Sequence, residues 1–394
     1  MKIVDIQTLR LNPSGRASDE KASTTSPTIS WRENTAKRSH STRGGNEKQS
    51  SIKTRRYGWN LWNEVWCKVT LEDGTWGLGS TEHGRPVAAI IEDLFAPNLI
   101  GEDGLDIETL SDRMWSLTKH YGSHGFTSNA VSAVDLALWD AKGRLLKVPV
   151  YSLIGGPHHE KLYCYATGND LDWYQELNFT AIKLPCPYGY SDGMEGIYKN
   201  EEFVARAREK VGDECELMLD CYMTNDVDHS VLLAEQLRPY NVKWIEECLV
   251  PDDFDAHLEL RRRMPWQVLA SGEHWYTHMP FEWALRNDAV DILQPDIHWA
   301  GGMTTCIKIF NAAQEAGKQV ILHLGAYTVY AQHFIYGMPG VNWAEYWIDS
   351  APGTPLIDDV FVPGQAVALN GWLEPNDAPG FGHEIPEEWL EPFS

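Results

Sequence analysis

The stretch LMLD, residues 217 to 220, is a short apolar run that ends on a carboxylate, and four similar runs follow it along the chain. The ionisable ends are Asp220 in LMLD, Glu246 in KWIE, Glu273 in VLASGE, Asp296 in DILQPD and His323 in QVILH. Their spacings of 26, 27, 23 and 27 residues each fit one strand, one helix and two loops. Helical stretches such as NEEFVARAREKVG and HSVLLAEQLRPY alternate with the apolar runs, so the sequence predicts repeated βα units and a parallel sheet.

A closed barrel accounts best for these five strand ends. In a (β/α)8 barrel the carboxyl ends of all strands meet on one face, where such enzymes keep their active sites. An open doubly wound sheet would scatter five such residues along its edge. Because 394 residues with 43% hydrophobic content can bury one large core and a smaller one, we predict an α/β barrel with a second, N-terminal domain.

Residues 14 to 56 interrupt the N-terminal strand pattern. This segment is rich in Ser, Thr, Arg, Lys and Asn, and it separates the strand-like runs KIVDIQTLRL and WCKVTLEDGTWGLG. Two interpretations stay open: a disordered insertion, or a lid over an active site, since long loops in compact domains are often functional. As a lid, the segment would supply His40, Arg43, Arg55 and Arg56, the cations that an acidic protein needs near an anionic ligand.

A buried helix is predicted from Thr127 onward. The stretch TSNAVSAVDLALWDAKGRLL has helical spacing, with Val131, Val134, Leu138 and Leu145 near one face. Its Thr and Ser residues are candidates for the N-cap. We expect this helix to open the barrel domain after the N-terminal domain.

The composition excludes several classes of partner. The formal net charge of −23 argues against nucleic acid or an anionic membrane, because both require a basic face; it fits an ordinary acidic enzyme or a protein adapted to high salt. The chain has no run of 18 apolar residues and no signal-peptide core near Met1, so we expect a soluble, cytoplasmic protein. Seven scattered cysteines without a C-x-x-C pair favour reduced core thiols.

Three of the strand ends indicate a metal site. Asp220, Glu246 and Glu273 would share one cavity, where like charges raise each other's pKa unless a cation compensates them. Oxygen ligands without Cys or His favour Mg²⁺. A single acid of this kind could instead cap the next helix or pair with an arginine, but three in phase favour the metal.

Asp296 and His323 are expected on the next two strands, close enough to form a pair. A carboxylate bonded to Nδ1 orients the imidazole and raises its basicity, which leaves Nε2 available as a general base. A lone histidine in an apolar run such as QVILHLG is more often a core residue, but its phase with the four acids favours a catalytic role.

These five residues and several longer stretches resemble the enolase superfamily, in its mandelate racemase-like branch. The stretches are LMLDCYM, KWIEECLVP, SGEH, QPDIHWAGGMTT, VNWAEYW and YATG, and within the branch they look most like the L-rhamnonate dehydratases. The resemblance spans nearly the whole chain. It implies a modified TIM-like (β/α) barrel at residues 127–350 and an α+β capping domain at residues 1–126, which the C-terminal segment, residues 351–394, completes.

The lysine in AIKLPCP, residues 181 to 187, gains a role from this resemblance. Two-base members of the branch carry K-x-K at the end of the second strand, whereas this chain reads Lys183, Leu184, Pro185. The second base is therefore absent, and Lys183 stays as a fixed positive charge. One base suffices to remove a proton and release hydroxide on the same side, whereas epimerisation needs two.

The resemblance further implies a Mg²⁺-dependent dehydration of a sugar acid. The substrate would chelate Mg²⁺ through its carboxylate and 2-hydroxyl, and His323 would remove the acidified C2 proton. The metal, Lys183 and a protonated or hydrogen-bonded Glu345 from VNWAEYW would stabilise the enediolate. His323 would then protonate the departing 3-hydroxyl, and the enol would tautomerise to a 2-keto-3-deoxy acid.

The residues that recognise the rest of the substrate follow from the same resemblance. It implies His274 and Glu345 as substrate contacts, with one of Arg55 and Arg56, and with His40 as the candidate for a histidine of the early loop. That loop and the stretch HLGAYTVYAQH depart from the family pattern, so L-rhamnonate and aldonates of the L-lyxonate, L-mannonate or galactonate type all stay open. A homo-oligomer is the expected assembly.

Rival functions also stay open. An epimerase of the same superfamily is one. A barrel that has lost catalysis and serves as a binding protein is another, although it would lack a metal ligand and none is missing. A different barrel enzyme, such as a metal-dependent aldolase or hydrolase, would hold the metal on three acids and carry its base elsewhere.

Overall fold

The structure is a computed structural model and describes residues 1–12, 64–348, 350–360 and 362–393. The lid predicted at residues 14 to 56 lies outside the described residues, and so do its cations His40, Arg43, Arg55 and Arg56.

The strands of the described residues, in chain order, are β1 (Ile3–Leu11), β2 (Val65–Leu71), β3 (Trp76–Thr81), β4 (Leu162–Thr167), β5 (Ala181–Pro185), β6 (Glu216–Asp220), β7 (Val242–Glu246), β8 (Leu269–Ser271), β9 (Ile292–Leu293), β10 (Gln319–Val320), β11 (Trp343–Trp347), β12 (Trp372–Leu373) and β13 (Leu390–Pro392). The α-helices are α1 (Gly84–Ala89), α2 (Ala96–Leu99), α3 (Ile107–Thr118), α4 (Phe126–Leu146), α5 (Val150–Leu153), α6 (Leu171–Glu176), α7 (Gly193–Val211), α8 (Val227–Leu237), α9 (Phe254–Arg263), α10 (Met279–Arg286), α11 (Gly302–Glu315) and α12 (Val329–Gly337). A π-helical segment joins α1 to α2 at Ile90–Phe95, and 3₁₀ turns lie at Tyr190–Asp192, Arg238–Tyr240, Leu356–Asp359 and Glu387–Trp389.

The N-terminal layer is an antiparallel sheet with the strand order β13-β1-β2-β3. Its outer strand β13 comes from the C-terminal end of the chain and pairs with β1 from Leu9↔Pro392 to Leu11↔Leu390. The Phe393 N–H also donates to the Thr8 carbonyl at 3.0 Å. The C-terminal segment therefore completes this sheet, as the resemblance implied.

Helix α4 packs across the antiparallel sheet. Two glycines of β3, Gly77 and Gly79, face it so closely that a Cβ at either position would overlap the helix backbone. The predicted helix is therefore confirmed, and the two glycines explain how sheet and helix approach each other. Its buried side chains serve two cores, because Val131 and Val134 pack with the sheet and Leu136 packs with the barrel. The domain boundaries drawn at residues 126 and 350 stay predictions.

The predicted N-cap of α4 is wrong. The N-cap residue is Gly125, which has no side chain to cap the helix, and Thr127 and Ser128 lie inside the first turn. The hydroxyl of Ser128 instead donates to the carbonyl of Trp299, across the boundary with the barrel. The Ser128 hydroxyl, which the sequence pattern predicted as a local cap, therefore forms a hydrogen bond to the barrel instead.

The barrel is formed by β4 to β11, which lie side by side in chain order and are all parallel. β11 pairs back onto β4; within the described ranges no ladder joins β10 to β11. Helices α6 to α12 follow β4 to β10 in turn, whereas β11 is followed by a 3₁₀ turn. The modified barrel is therefore confirmed, with a last unit that has a 3₁₀ turn in place of its helix.

An apolar layer fills the amino-terminal half of the barrel interior. It consists of the buried side chains of Tyr165, Ala181, Met218, Trp244, Ala270, Ile292 and Ile321. Side chains two residues apart on a strand face the same side, so the next inward positions belong to Thr167, Lys183, Asp220 and Glu246. Strand alternation therefore puts these polar groups directly above an apolar layer.

The cysteines and helices agree with the sequence analysis. All seven cysteines are free and buried, which confirms the interpretation as core thiols. Among the described residues, no helix combines the length and the apolar composition that crossing a bilayer would need.

Candidate active site

Three carboxylates meet at the carboxyl ends of adjacent barrel strands. Asp220 ends β6, Glu246 ends β7, and Glu273 follows β8 by two residues. One oxygen of each lies within 4.8 Å of one oxygen of the other two, and all three residues are buried. The structure thus brings together the three acids that the sequence analysis assigned to a metal.

The charge state of this cluster favours a bound cation. Burial, together with the neighbouring acids, raises the pKa of Asp220 to about 7 and that of Glu246 to about 8, and it raises the pKa of Glu273 as well. A divalent cation among the three would offset both the burial and the mutual repulsion. Because the donors are carboxylate oxygens, the residues fit a hard ion such as Mg²⁺.

The second oxygen of Glu246 is held in place by two donors. Trp244 Nε1 donates to Glu246 Oε2 at 2.9 Å, and Gln294 Nε2 donates to the same oxygen at 2.7 Å. Gln294 escaped the sequence analysis, although it stands two residues after the inward-facing Ile292 and two before Asp296. The strand alternation would have identified it. These bonds leave Oε1 of Glu246 to face the other carboxylates and Lys183.

Lys183 lies among the acids rather than apart from them. Its Nζ contacts Glu246 Oε1, lies 2.8 Å from Glu345 Oε1 and 3.7 Å from Asp220 Oδ2. Burial alone would lower the pKa of Lys183, but Glu246 and the other two acids raise it well above its usual value. The side chain is therefore a fixed positive charge, as the sequence analysis predicted.

Glu345 lies in the middle of β11 and accepts hydrogen bonds on both oxygens. Thr167 Oγ1 donates to Oε1 at 2.5 Å, and the Leu324 N–H donates to Oε2 at 2.9 Å. Burial alone would raise the pKa of Glu345, but Lys183 and then His323 lower it to about 2. Of the two states left open for Glu345, the geometry therefore favours the hydrogen-bonded carboxylate over the protonated acid.

His323 and Asp296 form the expected pair. His323 Nδ1 donates to Asp296 Oδ2 at 2.7 Å, and His323 Nε2 lies 3.6 Å from Glu273 Oε2. Burial lowers the pKa of His323, but Glu273 and Asp296 outweigh it and raise the pKa to about 10. A cation bound to Glu273 would counter part of that increase and favour the neutral imidazole.

Three of the five strand ends do not fall where the sequence analysis put them. β8 stops at Ser271, β9 at Leu293 and β10 at Val320, so Glu273, Asp296 and His323 stand two or three residues beyond. In QPD the proline has no N–H to continue the ladder, and Gly272 has a φ of +137°. These residues therefore extend from loops rather than from strand ends.

His274 lies beside the carboxylates and is bonded to an acid that the sequence analysis missed. Its Nδ1 lies 2.8 Å from Glu247 Oε1 and 3.4 Å from Glu273 Oε1. Burial lowers the pKa of His274, but Glu247 and Glu273 raise it to about 9. Only the doublet Glu246-Glu247 in the sequence could have indicated this second acid. A substrate contact of His274 stays a prediction.

Trp299 is a further residue that sequence reasoning missed. Its ring centroid lies 5.1 Å from that of His323 and 5.5 Å from that of His274, so the indole packs against both imidazoles. No charge or spacing in QPDIHWAGG marks it as part of the site. The predicted substrate contacts Arg55, Arg56 and His40 lie outside the described residues.

Comparison with known proteins agrees with this geometry. The family model described as "Enolase C-terminal domain-like" matches residues 170–389, more than half of the chain. The chain belongs to the enolase superfamily. A second model, "Mandelate racemase / muconate lactonizing enzyme, N-terminal domain", matches residues 52–155. The resemblance inferred from the sequence is therefore confirmed.

Individual proteins match this chain over most of their length. L-rhamnonate dehydratase of Saccharopolyspora erythraea is 38% identical over 336 residues, which are 84% of this chain and 85% of that protein. The crystal structure of rhamnonate dehydratase from Gibberella zeae complexed with Mg has a TM-score of 0.83 at 29% identity and covers 100% of this chain and 96% of that one. The 3,6-anhydro-D-galactonate cycloisomerase from Zobellia galactanivorans shares the fold. Its structure has a TM-score of 0.75 at 24% identity and covers 99% of this chain and 100% of that one.

Proposed function

We propose that this member of the enolase superfamily is a Mg²⁺-dependent hydro-lyase that removes water from a sugar acid, L-rhamnonate or a closely related aldonate. The product is a 2-keto-3-deoxy acid. The relatives named L-rhamnonate dehydratase and the relative complexed with Mg support this assignment. The observation that carries it is the Asp296–His323 pair, whose Nε2 faces the carboxylate cluster at Glu273.

The metal would be held by Asp220, Glu246 and Glu273. When bound, Mg²⁺ would supply Lewis acidity that makes the proton next to the substrate carboxylate easier to remove. The base for that proton is His323. Asp296 keeps Nδ1 protonated, so Nε2 is the nitrogen with a free lone pair, and the same carboxylate stabilises the imidazolium once it forms.

Lys183 and Glu345 act on the side of the site next to β5 and β11. When the C2 proton leaves, negative charge develops on the substrate carboxylate as an enediolate. The ammonium group of Lys183 is fixed by Glu246 and Glu345 before substrate arrives, so it stabilises that charge without reorganising. Thr167 holds Glu345 in turn.

The second half of the reaction uses the same imidazole. His323, now protonated, donates its proton to the 3-hydroxyl, and the C3–O bond breaks to release water. The C2 proton and the 3-hydroxyl together account for that water, so no other reactant is required. The resulting enol tautomerises to the 2-keto-3-deoxy acid.

Dehydration is favoured over epimerisation by the residue at position 185. Epimerisation needs an acid and a base on opposite faces of C2, and Pro185 stands where two-base members of the superfamily carry the second lysine. Lys183 does not replace it, because its ammonium group is engaged by Glu246 and Glu345. A base on one side alone supports elimination.

The test is a panel of aldonates incubated with the purified protein in D₂O, with and without Mg²⁺. We expect a 2-keto-3-deoxy product from L-rhamnonate or a close relative, only with the metal. Deuterium at C2 of recovered substrate, with an inverted centre, would instead identify an epimerase. Cleavage products would identify an aldolase or hydrolase. A sugar acid that raises the melting temperature without turnover would identify a binding protein.

A further inference from the structure

The loop from Ile297 to Gly301 determines where Asp296 points. The His298 N–H donates to Asp296 Oδ1 at 2.7 Å, which leaves Oδ2 for His323. The N–H groups of Trp299 and Ala300 donate to the Asp296 carbonyl at 3.1 and 2.8 Å. A displacement of this loop would therefore move the carboxylate that orients the base.

The N-terminal layer holds the other side of the same loop. Thr81 Oγ1 donates to the His298 carbonyl at 2.8 Å, and the Ser128 hydroxyl donates to the Trp299 carbonyl. The Gly301 N–H donates to Ser132 Oγ at 2.9 Å, and Ser132 Oγ donates in turn to the Ser128 carbonyl at 3.0 Å. Three backbone groups of the loop, two carbonyls and one N–H, are thus bonded to β3 and α4.

Helix α11, which follows the loop, is capped from α4. Its own N-cap is Gly301, which has no side chain, and the Thr304 N–H instead donates to Asp135 Oδ2 at 3.0 Å. Gly302 has a φ of +79°, and a Cβ there would lie 2.5 Å from Asp135 Oδ2, so only glycine lets the two layers approach this closely. Burial raises the pKa of Asp135 to about 7, and its oxygen can accept from the Thr304 N–H in either protonation state, as a helix cap does.

Three polar residues of α4 form a buried stripe that faces loop 297–301 and the start of α11. Ser128, Ser132 and Asp135 follow one another at helical spacing, and none of them is exposed. Polar side chains cost free energy on burial unless they are hydrogen-bonded, so packing alone would be served better by apolar residues here. The hydrogen bonds of these three side chains instead fix loop 297–301 in a single position.

We propose that Ser128, Ser132 and Asp135 are positioning residues that hold loop 297–301, and through it the Asp296–His323 pair, in the reactive arrangement. This inference rests on the proposed function, since it gives that pair a catalytic role. It adds that helix α4 contributes to the rate through the loop, without contact to the substrate.

The test compares variants of α4 under saturating Mg²⁺. Asp135→Ala removes the acceptor for the Thr304 N–H, and Ser132→Ala removes the acceptor for the Gly301 N–H. We expect each to lower kcat about 10- to 100-fold, the effect of a misplacement of about 1 Å, with KM changed less than about 3-fold because the metal ligands are untouched. Asp135→Asn keeps an acceptor oxygen and should restore most of the rate.

A matched control separates positioning from general destabilisation. Asp253 caps α9, where its Oδ1 accepts from the Ala256 N–H at 3.0 Å, so Asp253→Ala removes a helix cap from another helix of the barrel domain. We expect it to lower the melting temperature as the α4 variants do, with kcat unchanged. If Asp135→Ala does not fold, the milder Ser132→Ala carries the test. If the α4 variants lose as much melting temperature as Asp253→Ala but keep kcat within about 2-fold of wild type, the proposal is wrong.

A double-mutant cycle with Asp296→Asn then tests the route. If α4 acts through Asp296, Ser132→Ala should lower kcat in the wild-type background and have little further effect in Asp296→Asn. The same loss in both backgrounds would show that Ser132 acts elsewhere, and the proposal would be wrong while the proposed function stands. If Asp296→Asn alone leaves C2 exchange unchanged, the catalytic pair itself is misassigned, and both fall together.

Discussion

Strands β6 and β7 are five residues long and end on Asp220 and Glu246, whereas β9 and β10 are two residues long and stop three residues before Asp296 and His323. On the first side, which we call the carboxylate side, the parallel ladder pairs Pro185 with Asp220 and Asp220 with Glu246. On the second, the imidazole side, the His323 N–H still donates to the Pro295 carbonyl at 3.2 Å, and loop 297–301 with its contacts from α4 supplies the further bonds that hold Asp296.

The difference shows how each side keeps its geometry. The carboxylate side inherits its spacing from the sheet, so neighbouring side chains meet wherever the strands pair. The imidazole side depends on contacts between residues far apart in the chain, such as Gly301 and Ser132, which are 169 positions apart. We therefore expect loss of a metal ligand or of the base itself to remove the chemistry, and loss of a contact that holds the imidazole side to reduce the rate partially.

The largest effect is expected on the carboxylate side. Glu246→Gln replaces a charged ligand with a neutral amide in the middle of the cluster, so turnover should fall below detection while the circular dichroism spectrum stays that of wild type. Dialysis against EDTA should abolish activity equally, and Mg²⁺ should restore it in the wild type alone. Glu216→Gln on β6, whose carboxylate pairs with Lys243 away from the site, is the matched control. Full activity in EDTA would disprove the metal assignment.

The next largest effect is expected from replacing the general base of the imidazole side. His323→Asn removes both the proton acceptor and the later proton donor, so kcat should fall by at least about 10⁴-fold, the upper end for acid–base catalysis. With substrate and Mg²⁺ in D₂O, no deuterium should enter C2. His257→Asn removes another buried imidazole, which is bonded to the Asp253 carbonyl, and should leave exchange intact. Exchange near the wild-type rate in His323→Asn would move the base to the other face.

Lys183 contacts Glu246 and Asp220 of the carboxylate side and Glu345 on β11, so its loss tests the electrostatic part of the site while the imidazole side stays intact. Lys183→Met keeps the length of the side chain and removes the charge that faces Glu246 and Glu345. We expect kcat to fall about 10²- to 10³-fold, the range for losing one electrostatic contact to the transition state. Slow C2 exchange should persist because His323 is intact. Complete loss of exchange in this variant would mean that Lys183 is itself required for proton removal.

The sequence could predict the carboxylate side nearly in full. Spacing identified the three acids, and the modified barrel and the completion of the N-terminal sheet followed from the family resemblance. The same spacing brought Asp296 and His323 together but put them, like Glu273, at strand ends, because Gly272 before Glu273 and Pro295 before Asp296 stop the ladder earlier than the apolar runs suggest. The local sequence pattern is therefore sufficient to predict which site residues lie close together wherever strand pairing itself sets their distances.

The contacts between layers could not be predicted from the sequence. Ser128 looked like a local N-cap, and only the fold shows that its hydroxyl reaches the Trp299 carbonyl. Asp135 had no feature that linked it to Thr304, because a cap supplied by another helix leaves no spacing signal. Gln294 and Glu247 were likewise missed, since the partner of Gln294 lies two strands away on β7 and the partner of Glu247 lies just after the neighbouring strand β8.

The smallest effect concerns stability on the imidazole side, where α12 carries a buried histidine. Burial lowers the pKa of His333 to about 3, and the ring accepts the Tyr151 N–H on Nδ1 at 3.4 Å. In the unfolded chain the pKa of a histidine is about 6.5. At a pH between the folded and the unfolded pKa, the unfolded state therefore binds a proton that the folded state does not. The free energy of unfolding should therefore fall as the pH drops below about 6.5, by about 1.4 kcal/mol between pH 7.5 and 5.5 from this group. His333→Asn keeps an acceptor near Nδ1 without titrating in this range, so urea unfolding should show a flatter dependence by that amount, although the variant is less stable at both pH values. Parallel pH dependences for the two proteins would show that His333 is not the group that makes this side of the barrel sensitive to acid.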